Sequence, residues 1–344
     1  MVQRGSSLLI MLIYVDDITI ICNNPALRDE YKGFLNARFL MKDLGATKKL
    51  LGIEFDGATA DGCVVLHQSE YIRTILRRFG MDSAKIQHTP MIAGQKLMEA
   101  KPGEERADVG LYQSMLGSAM YAMVATRPDL AYALSTLARF SASPSKTHMT
   151  AMRRLYGYLL KTSDYGLEYK SDGTSDALAG FADADWGGEI PSRRSTTGVV
   201  FMSAGGAISY LSRRQRVTAF ATAEAEWVAC GEAVREALWI RNLRRELGYN
   251  DGKTPVHLFT DNQAALALTQ NPVSHARTKQ IDVVGHAIRD HVREGHVDFA
   301  YVPTAENTAD ILTKPLGPQQ FEPKRDMLGV RPCRSTVAAG GVLE

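Results

Sequence analysis

Near the start of the chain two short apolar blocks, 8–14 and 18–21, flank Val15, Asp16 and Asp17. Short apolar blocks around a polar pair predict a β-hairpin. From 25 to 44 the spacing changes. Leu27, Tyr31, Phe34, Leu35 and Phe39 recur at helical intervals with charges between them, which predicts a helix. Strands are expected over 49–55 and 62–67, joined by a turn at Asp61 and Gly62. Residues 69–79 predict a basic amphipathic helix carrying Arg73, Arg77 and Arg78. The polar stretch 82–108, with Pro90, Pro102 and Gly103, reads as a linker. Helices follow over 111–125, 129–141 and 146–161; Pro128 suits a helix start, and Ser143-Pro144-Ser145 marks the next break.

After Ser171-Asp172-Gly173 the pattern turns to strands, over 178–182, 198–202 and 207–211. A long helix over 222–247 comes next, then a strand at 257–260 and a short helix from Asn262. A helix over 280–294, a strand over 297–302 and a short helix over 307–313 complete the series. Three antiparallel strands followed by alternating β and α elements predict an α/β fold, a mixed sheet with flanking helices.

Composition adds little to this and excludes more. The 344 residues are 45% hydrophobic and 23% charged, which rules out disorder, a collagen and a disulfide scaffold. The length suggests two or three domains. A net charge of +2 neither demands nor excludes a nucleic-acid partner. Cys22, Cys63, Cys230 and Cys333 are far apart with no CxxC pair, which argues against a zinc or redox motif and fits a reduced intracellular compartment. The apolar run 8–22 is too short to span a bilayer and is interrupted by Asp16 and Asp17, so neither a membrane span nor a signal peptide is expected. His148, His257, His275, His286, His291 and His296 show no HExxH-like spacing, and His286 and His291 read as helix-surface residues.

The acids of the second half carry the candidate chemistry. Asp183 and Asp261 directly follow predicted strands, Glu226 lies in the first turns of the long helix, and Asp310 lies in the last short helix. Acids from separate elements can converge at one sheet edge, where they repel one another unless divalent cations neutralise them. Hard oxygen donors favour magnesium or manganese over zinc. Two such ions suit in-line phosphodiester hydrolysis. Each acid could equally be a helix cap or a solvated loop residue, and spacing does not decide. Helix phase does separate Glu226 from Glu224. At about 100° per residue, Cys230, Ala233, Ala237 and Ile240 fall within about 40° of Glu226, whereas Glu224 turns about 160° away, toward Arg235.

The wording FADADWGG, RRSTTGVVF, ISYLSRRQ, TAEAEWVA, LFTDNQAAL, RTKQIDV and VPTAENTADILTKPL, in that order over 179–316, resembles the RNase H domain of copia-type LTR retrotransposon polyproteins. That resemblance implies an RNase H fold and two magnesium ions, with manganese as a substitute. It carries the catalytic and metal-binding roles onto Asp183, Glu226, Asp261 and Asp310. Gln280 stands where the family usually has His, and is read as structural or substrate-contacting. Tyr14-Val15-Asp16-Asp17 resembles the YVDD box of reverse transcriptases, in which the two aspartates ligate metal. MKDLG, LLGIEF, LHQSEYIRTILRRFGM, YQSMLGSAMYAMVATRPDLAYALSTLARF and DYGLEY continue the likeness to the same polyprotein.

The resemblance implies a partial reverse transcriptase over 1–90 (end of palm, thumb), a linker and helical connection over 91–173, an RNase H domain over 174–316 and a tail over 317–344. The expected family aspartate upstream of YVDD is missing, so polymerisation by this chain is not expected. Arg73, Arg77, Arg193, Arg194, Arg213, Arg214 and Arg216 are candidate contacts to the phosphates of an RNA–DNA hybrid, or simply a solvated basic face. Trp186 and Trp227 read as packing residues rather than base-stacking platforms. The expected function is metal-dependent hydrolysis of RNA in hybrids, in a cytoplasmic particle or the nucleus, with other Pol products as possible partners and no membrane. The alternative is a non-enzymatic remnant or a host-adopted nucleic-acid-binding module.

Overall fold

The computed structural model describes residues 1–57, 62–170, 178–188, 192–249, 254–270 and 279–333, the side chains of 270 and 279–284 excepted. Two compact units result, 1–50 and 51–344.

In the first unit the antiparallel strands Val2–Arg4, Ser7–Tyr14 and Asp17–Cys22 lie in that order. Tyr14 pairs with Asp17, so Val15 and Asp16 make the two-residue turn, with Val15 at φ 50. The helix Pro25–Arg38 starts where it does because the Asn24 side chain accepts from the N–H groups of Ala26 and Leu27, and proline suits the first turn. It stops at Arg38, short of the expected 44. Asp43 instead pairs with Lys32 and accepts from the Gly45 N–H, and Phe39, Leu40 and Leu44 are exposed, so further helix would bury nothing.

The second unit holds two sheets. In one, Ile53–Asp56, Cys63–His67, Tyr165–Lys170 and Val330–Pro332 are successive antiparallel neighbours. The strand expected over 49–55 breaks at Leu51 and Gly52, which have φ of 51 and 75. The Tyr121 hydroxyl donates to the Leu51 carbonyl and occupies the space that a Cβ on Gly52 would need. Helices Ser69–Arg78, Val109–Ala125, Ala131–Ala138 and Lys146–Lys161 share a core of residues such as Ile72, Tyr112, Leu134 and Leu155. Segment 82–108 has no regular helix or strand, yet Met91 and Leu97 are buried in that core, so it is a packed strap. Tyr165–Lys170, the helix Pro318–Met327 and Val330–Pro332 were not expected. Pro323 inside the helix and a three-residue strand both hide from periodicity.

The other sheet has the order Gly206–Arg214, Thr196–Ser203, Ala179–Asp185, Val256–Thr260, Val297–Tyr301. The first three strands are antiparallel and the last two run parallel to Ala179–Asp185. The helix Thr222–Glu246 connects the third strand in sequence to the fourth and packs through Ala225, Ala229, Cys230, Ala233 and Ala237, all fully buried. Small side chains let the helix lie close on the sheet. This α/β arrangement of a mixed sheet with flanking helices is the RNase H-like fold the resemblance implied. Parallel strands of one sense bring their carboxyl ends, and so Asp183 and Asp261, to one edge.

Candidate metal centre

Asp183 lies inside its strand, opposite Gly198, rather than just beyond it. Glu226 sits one turn into the long helix, above Cys230 and Ala233, as the helix phase required. Asp261 follows Thr260 at the strand end. One carboxylate oxygen from each of the three lies within 4.8 Å of the others. Asp183 and Glu226 are buried and Asp261 is half-buried.

Neighbouring hydroxyls fix the set. Thr313 donates to Asp183 at 2.5 Å and Thr304 to Asp261 at 2.6 Å. Both come from the segment around the 3₁₀ helix Thr308–Leu312. Asn307 anchors that segment: its side-chain carbonyl oxygen caps the Ala309 N–H, and its amide donates to the Ala182 carbonyl at 3.0 Å, next to Asp183. Gly198 lets the turn approach, since a Cβ there would lie 2.7 Å from the Ala309 carbonyl. Gln215 braces the helix start by donating to Thr197 and to the Ala225 carbonyl. Sequence reasoning did not single out Thr304, Asn307, Thr313 or Gln215, although all stood in the quoted motifs.

Lys314, paired with Asp310, pulls the Asp183 and Glu226 carboxyls down, but burial and the neighbouring acids outweigh it. Burial pushes the Asp183 carboxyl up to about 6, helped by the charges of Asp310 and Asp261. It pushes Glu226 up to about 9, again with help from Asp183 and Asp261. The buried Oε2 of Glu226 has no hydrogen-bond partner. A hard, all-oxygen donor set with a buried orphan acceptor fits a magnesium- or manganese-type ion.

Asp310 lies beside this set but outside the three-oxygen cluster. It is buried, its charge raises Asp183, and it pairs with Lys314. Lys324 Nζ lies 3.7 Å from its other oxygen, held by the Thr304 and Asn307 carbonyls. Asp16 and Asp17 are both exposed at the hairpin, and no third metal-ligating side chain joins them among the described residues.

Basic residues rim the acid end of the sheet. Arg213 and Arg214 pair with Thr197 and Thr196, which in turn face Ala184 and Asp185. Arg193, Arg214 and Arg216 are exposed and Arg194 half-buried, while Arg213 is held by Glu232. Arg73, Arg77 and Arg78 are exposed on their helix. Trp227 is buried as a packing residue; Trp186 is half exposed, with its indole N–H on the Ala219 carbonyl. His286 is exposed, whereas His291 meets His296. His275 and the side chain of Gln280 lie outside the described residues. Among the described residues no helix is long and apolar enough to cross a membrane.

Residues 1–93 match the family model described as reverse transcriptase (RNA-dependent DNA polymerase). The retrovirus-related Pol polyprotein from transposon TNT 1-94 of Nicotiana tabacum is 37% identical over 330 residues, which is 94% of this chain and 24% of that protein. A Saccharomyces cerevisiae protein named for transposon Ty5-1 is 30% identical over 225 residues, 65% of this chain and 72% of its own length. Among solved structures, an RNase H domain from Mycobacterium tuberculosis matches 44% of this chain and 98% of its own, with 15% identity and a TM-score of 0.30. The chain thus spans about a quarter of the length of the plant polyprotein it matches. With 34% to 37% identity to plant Pol polyproteins along nearly its whole length, the chain belongs to the copia-type LTR retrotransposon Pol family.

Proposed function

We propose that residues 174–316 hydrolyse RNA in RNA–DNA hybrids, with Asp183, Glu226, Asp261 and Asp310 holding two magnesium ions, or manganese in their place. The convergence of three carboxylates on one point, with Glu226 Oε2 buried and unsatisfied, carries this reading. Bound divalent cations would supply an activated water and counter-charge for the leaving oxygen. Water adds to phosphorus, the bond from phosphorus to the 3′-oxygen breaks, and the proton ends on that oxygen, leaving a 3′-hydroxyl and a 5′-phosphate.

The chain's own groups prepare this. Thr313 and Thr304 hold Asp183 and Asp261 in place. Raised carboxyls keep a proton in the cluster near neutral pH, to be released when a cation enters. Lys314 and Lys324 balance Asp310. Arg193, Arg194, Arg213, Arg214 and Arg216 at the rim, and Arg73 and Arg77 on their helix, are assigned to backbone phosphates, so binding weakens as salt rises. Asp16 and Asp17 are assigned to metal ligation within the polymerase portion, 1–90, with 91–173 as the connection and 317–344 as the tail. Other Pol products are the proposed protein partners, in a cytoplasmic particle or the nucleus.

The test is cleavage of an end-labelled RNA–DNA hybrid by the purified chain, with magnesium or with chelator. Cleavage is expected only with the metal, and only of the RNA strand. Equal cleavage by Asp183→Asn would reject the site.

A further inference from the structure

The helix Lys279–Arg293 ends in a turn in which the His296 N–H donates to the His291 carbonyl at 2.9 Å and the Gly295 N–H to the Val292 carbonyl at 3.1 Å, with Gly295 at φ 70. These bonds make a Schellman motif, which sets the first and last residues of the turn side by side, usually as an apolar contact. Here both are histidines. Their Nδ1 atoms are 3.1 Å apart. Glu294 Oε2 lies 3.2 Å from His296 Nδ1 and 3.6 Å from His291 Nδ1.

A tetrahedral zinc ion with bonds of about 2.0–2.2 Å places its donors roughly 3.3–3.6 Å apart, because a tetrahedral edge is about 1.6 times the bond. The three observed separations fall close to that. Without an ion, one Nδ1–H can bridge the group by donating to the other ring and to the carboxylate; with both rings in the tautomer that leaves Nδ1 bare, three lone pairs face one point.

We propose that His291, Glu294 and His296 form a transition-metal site of zinc type, with its fourth position open to solvent. Their side chains are 29%, 52% and 30% exposed, so an ion can enter. The site stands apart from the carboxylate cluster. The His296 carbonyl accepts from Val256 at the start of a strand whose far end leads into Asp261. Donor chemistry separates the two as well, since imidazole suits zinc while all-oxygen sites suit magnesium. The ion would tie the end of the helix to the start of the last strand. Neither CxxC nor HExxH spacing signals this site, because the backbone turn, not helix periodicity, joins the two imidazoles.

Calorimetric titration of the metal-free full chain with zinc chloride, in saturating magnesium, tests it. The parent chain should bind one zinc more than His291→Gln/His296→Gln, and Glu294→Gln should weaken that zinc by at least about tenfold. Copper(II) as a probe should show two-nitrogen hyperfine splitting in the parent and lose it in either single histidine variant. Asp183→Asn should keep this zinc, and the histidine variants should keep hybrid cleavage, so failure here is distinct from failure of the hydrolase reading. Equal zinc binding by parent and double variant, or copper without nitrogen ligands, overturns the proposal.

Discussion

Two sets of charged side chains lie inside the larger unit. In one, the Arg127 guanidinium donates to both Asp129 oxygens at 3.0 and 2.8 Å and to the carbonyl and hydroxyl of Thr162 at 2.9 and 2.7 Å. Tyr158 donates to Asp129 at 2.6 Å and lies under the guanidinium. Burial alone would raise the Asp129 carboxyl, but Arg127 offsets this and holds it below its ordinary value. In the other set, Asp183, Glu226 and Asp261 face one another with hydroxyl donors, Lys314 is engaged by Asp310, and burial raises Asp183 and Glu226 despite its charge. The first set is closed: every charge has its partner within the chain. The second leaves Glu226 Oε2 buried without a hydrogen-bond partner. Burial therefore goes with a structural role in one place and, on the proposed function, with a metal site in the other.

Removing one half of the closed set should have the largest effect. Arg127→Met leaves Asp129 as an uncompensated buried charge, and a loss of about 3–5 kcal/mol is expected in denaturant unfolding. Adding Asp129→Leu should recover most of it. If the single variant costs less than about 1 kcal/mol, the network is not the internal brace described here.

Removing a charge from the open set should do the opposite to stability. Asp183→Asn keeps the shape and relieves like-charge repulsion, so the metal-free melting temperature should stay or rise. Hybrid cleavage should fall about 100- to 1000-fold, or roughly 2.7–4 kcal/mol of barrier. Glu226→Gln should match it. Asp310→Asn should cost less, because Lys314 and Lys324 already balance that acid. A larger loss at Asp310 than at Glu226 would reverse the ranking.

pH sharpens the contrast, because the two sets control opposite flanks of stability. For Asp183 and Glu226 the folded values, about 6 and about 9, lie above the ordinary carboxyl values of 3.8 and 4.5. Their contribution is full below the unfolded values and is lost as pH rises through the folded ones. Metal-free protein should therefore melt a few degrees lower at high pH than near pH 5 (roughly, from this linkage). Excess magnesium should flatten that slope by binding the ionised acids. Asp129 is lowered, so its contribution is present above its unfolded value and lost as pH falls through the folded one. A metal-free chain whose melting temperature rises between neutral and alkaline pH would contradict the reading of the open set.

How much of this was written in the sequence follows the same division. The strands around Asp183 and Asp261 alternate or run apolar, and the stripe from Glu226 through Ile240 has helical period, so the elements that carry these acids were readable, while the role of the acids came from the family resemblance and not from spacing. Arg127 and Asp129 were legible only as a break between helices, because Thr162 lies 35 residues beyond Arg127 and Tyr158 lies 29 beyond Asp129. Asn307 and Thr313 carry no periodic signal, and their partners Ala182 and Asp183 lie 125 and 130 residues off. His291 reads as a surface position until the turn at Gly295 brings His296 back to it. Periodicity reports which face is buried; it does not report which distant group satisfies a polar atom.

Glu224 gives the smallest expected effect and the finest test of helix phase. It stands two residues before Glu226 in TAEAEW, yet its Oε2 accepts from the Phe220 N–H at 2.7 Å, just outside the helix start. That is the work of a capping carboxylate, not of a ligand. Glu224→Gln keeps an oxygen able to accept the same bond and loses only the charge near the helix N-terminus, worth about 0.3–1 kcal/mol. Unfolding should register at most that cost, and cleavage should stay within about twofold of the parent, less than about 0.5 kcal/mol of barrier. A large loss of cleavage in Glu224→Gln with none in Glu226→Gln would place the other face of the helix toward Asp183, and the metal centre built on Glu226 would have to be abandoned.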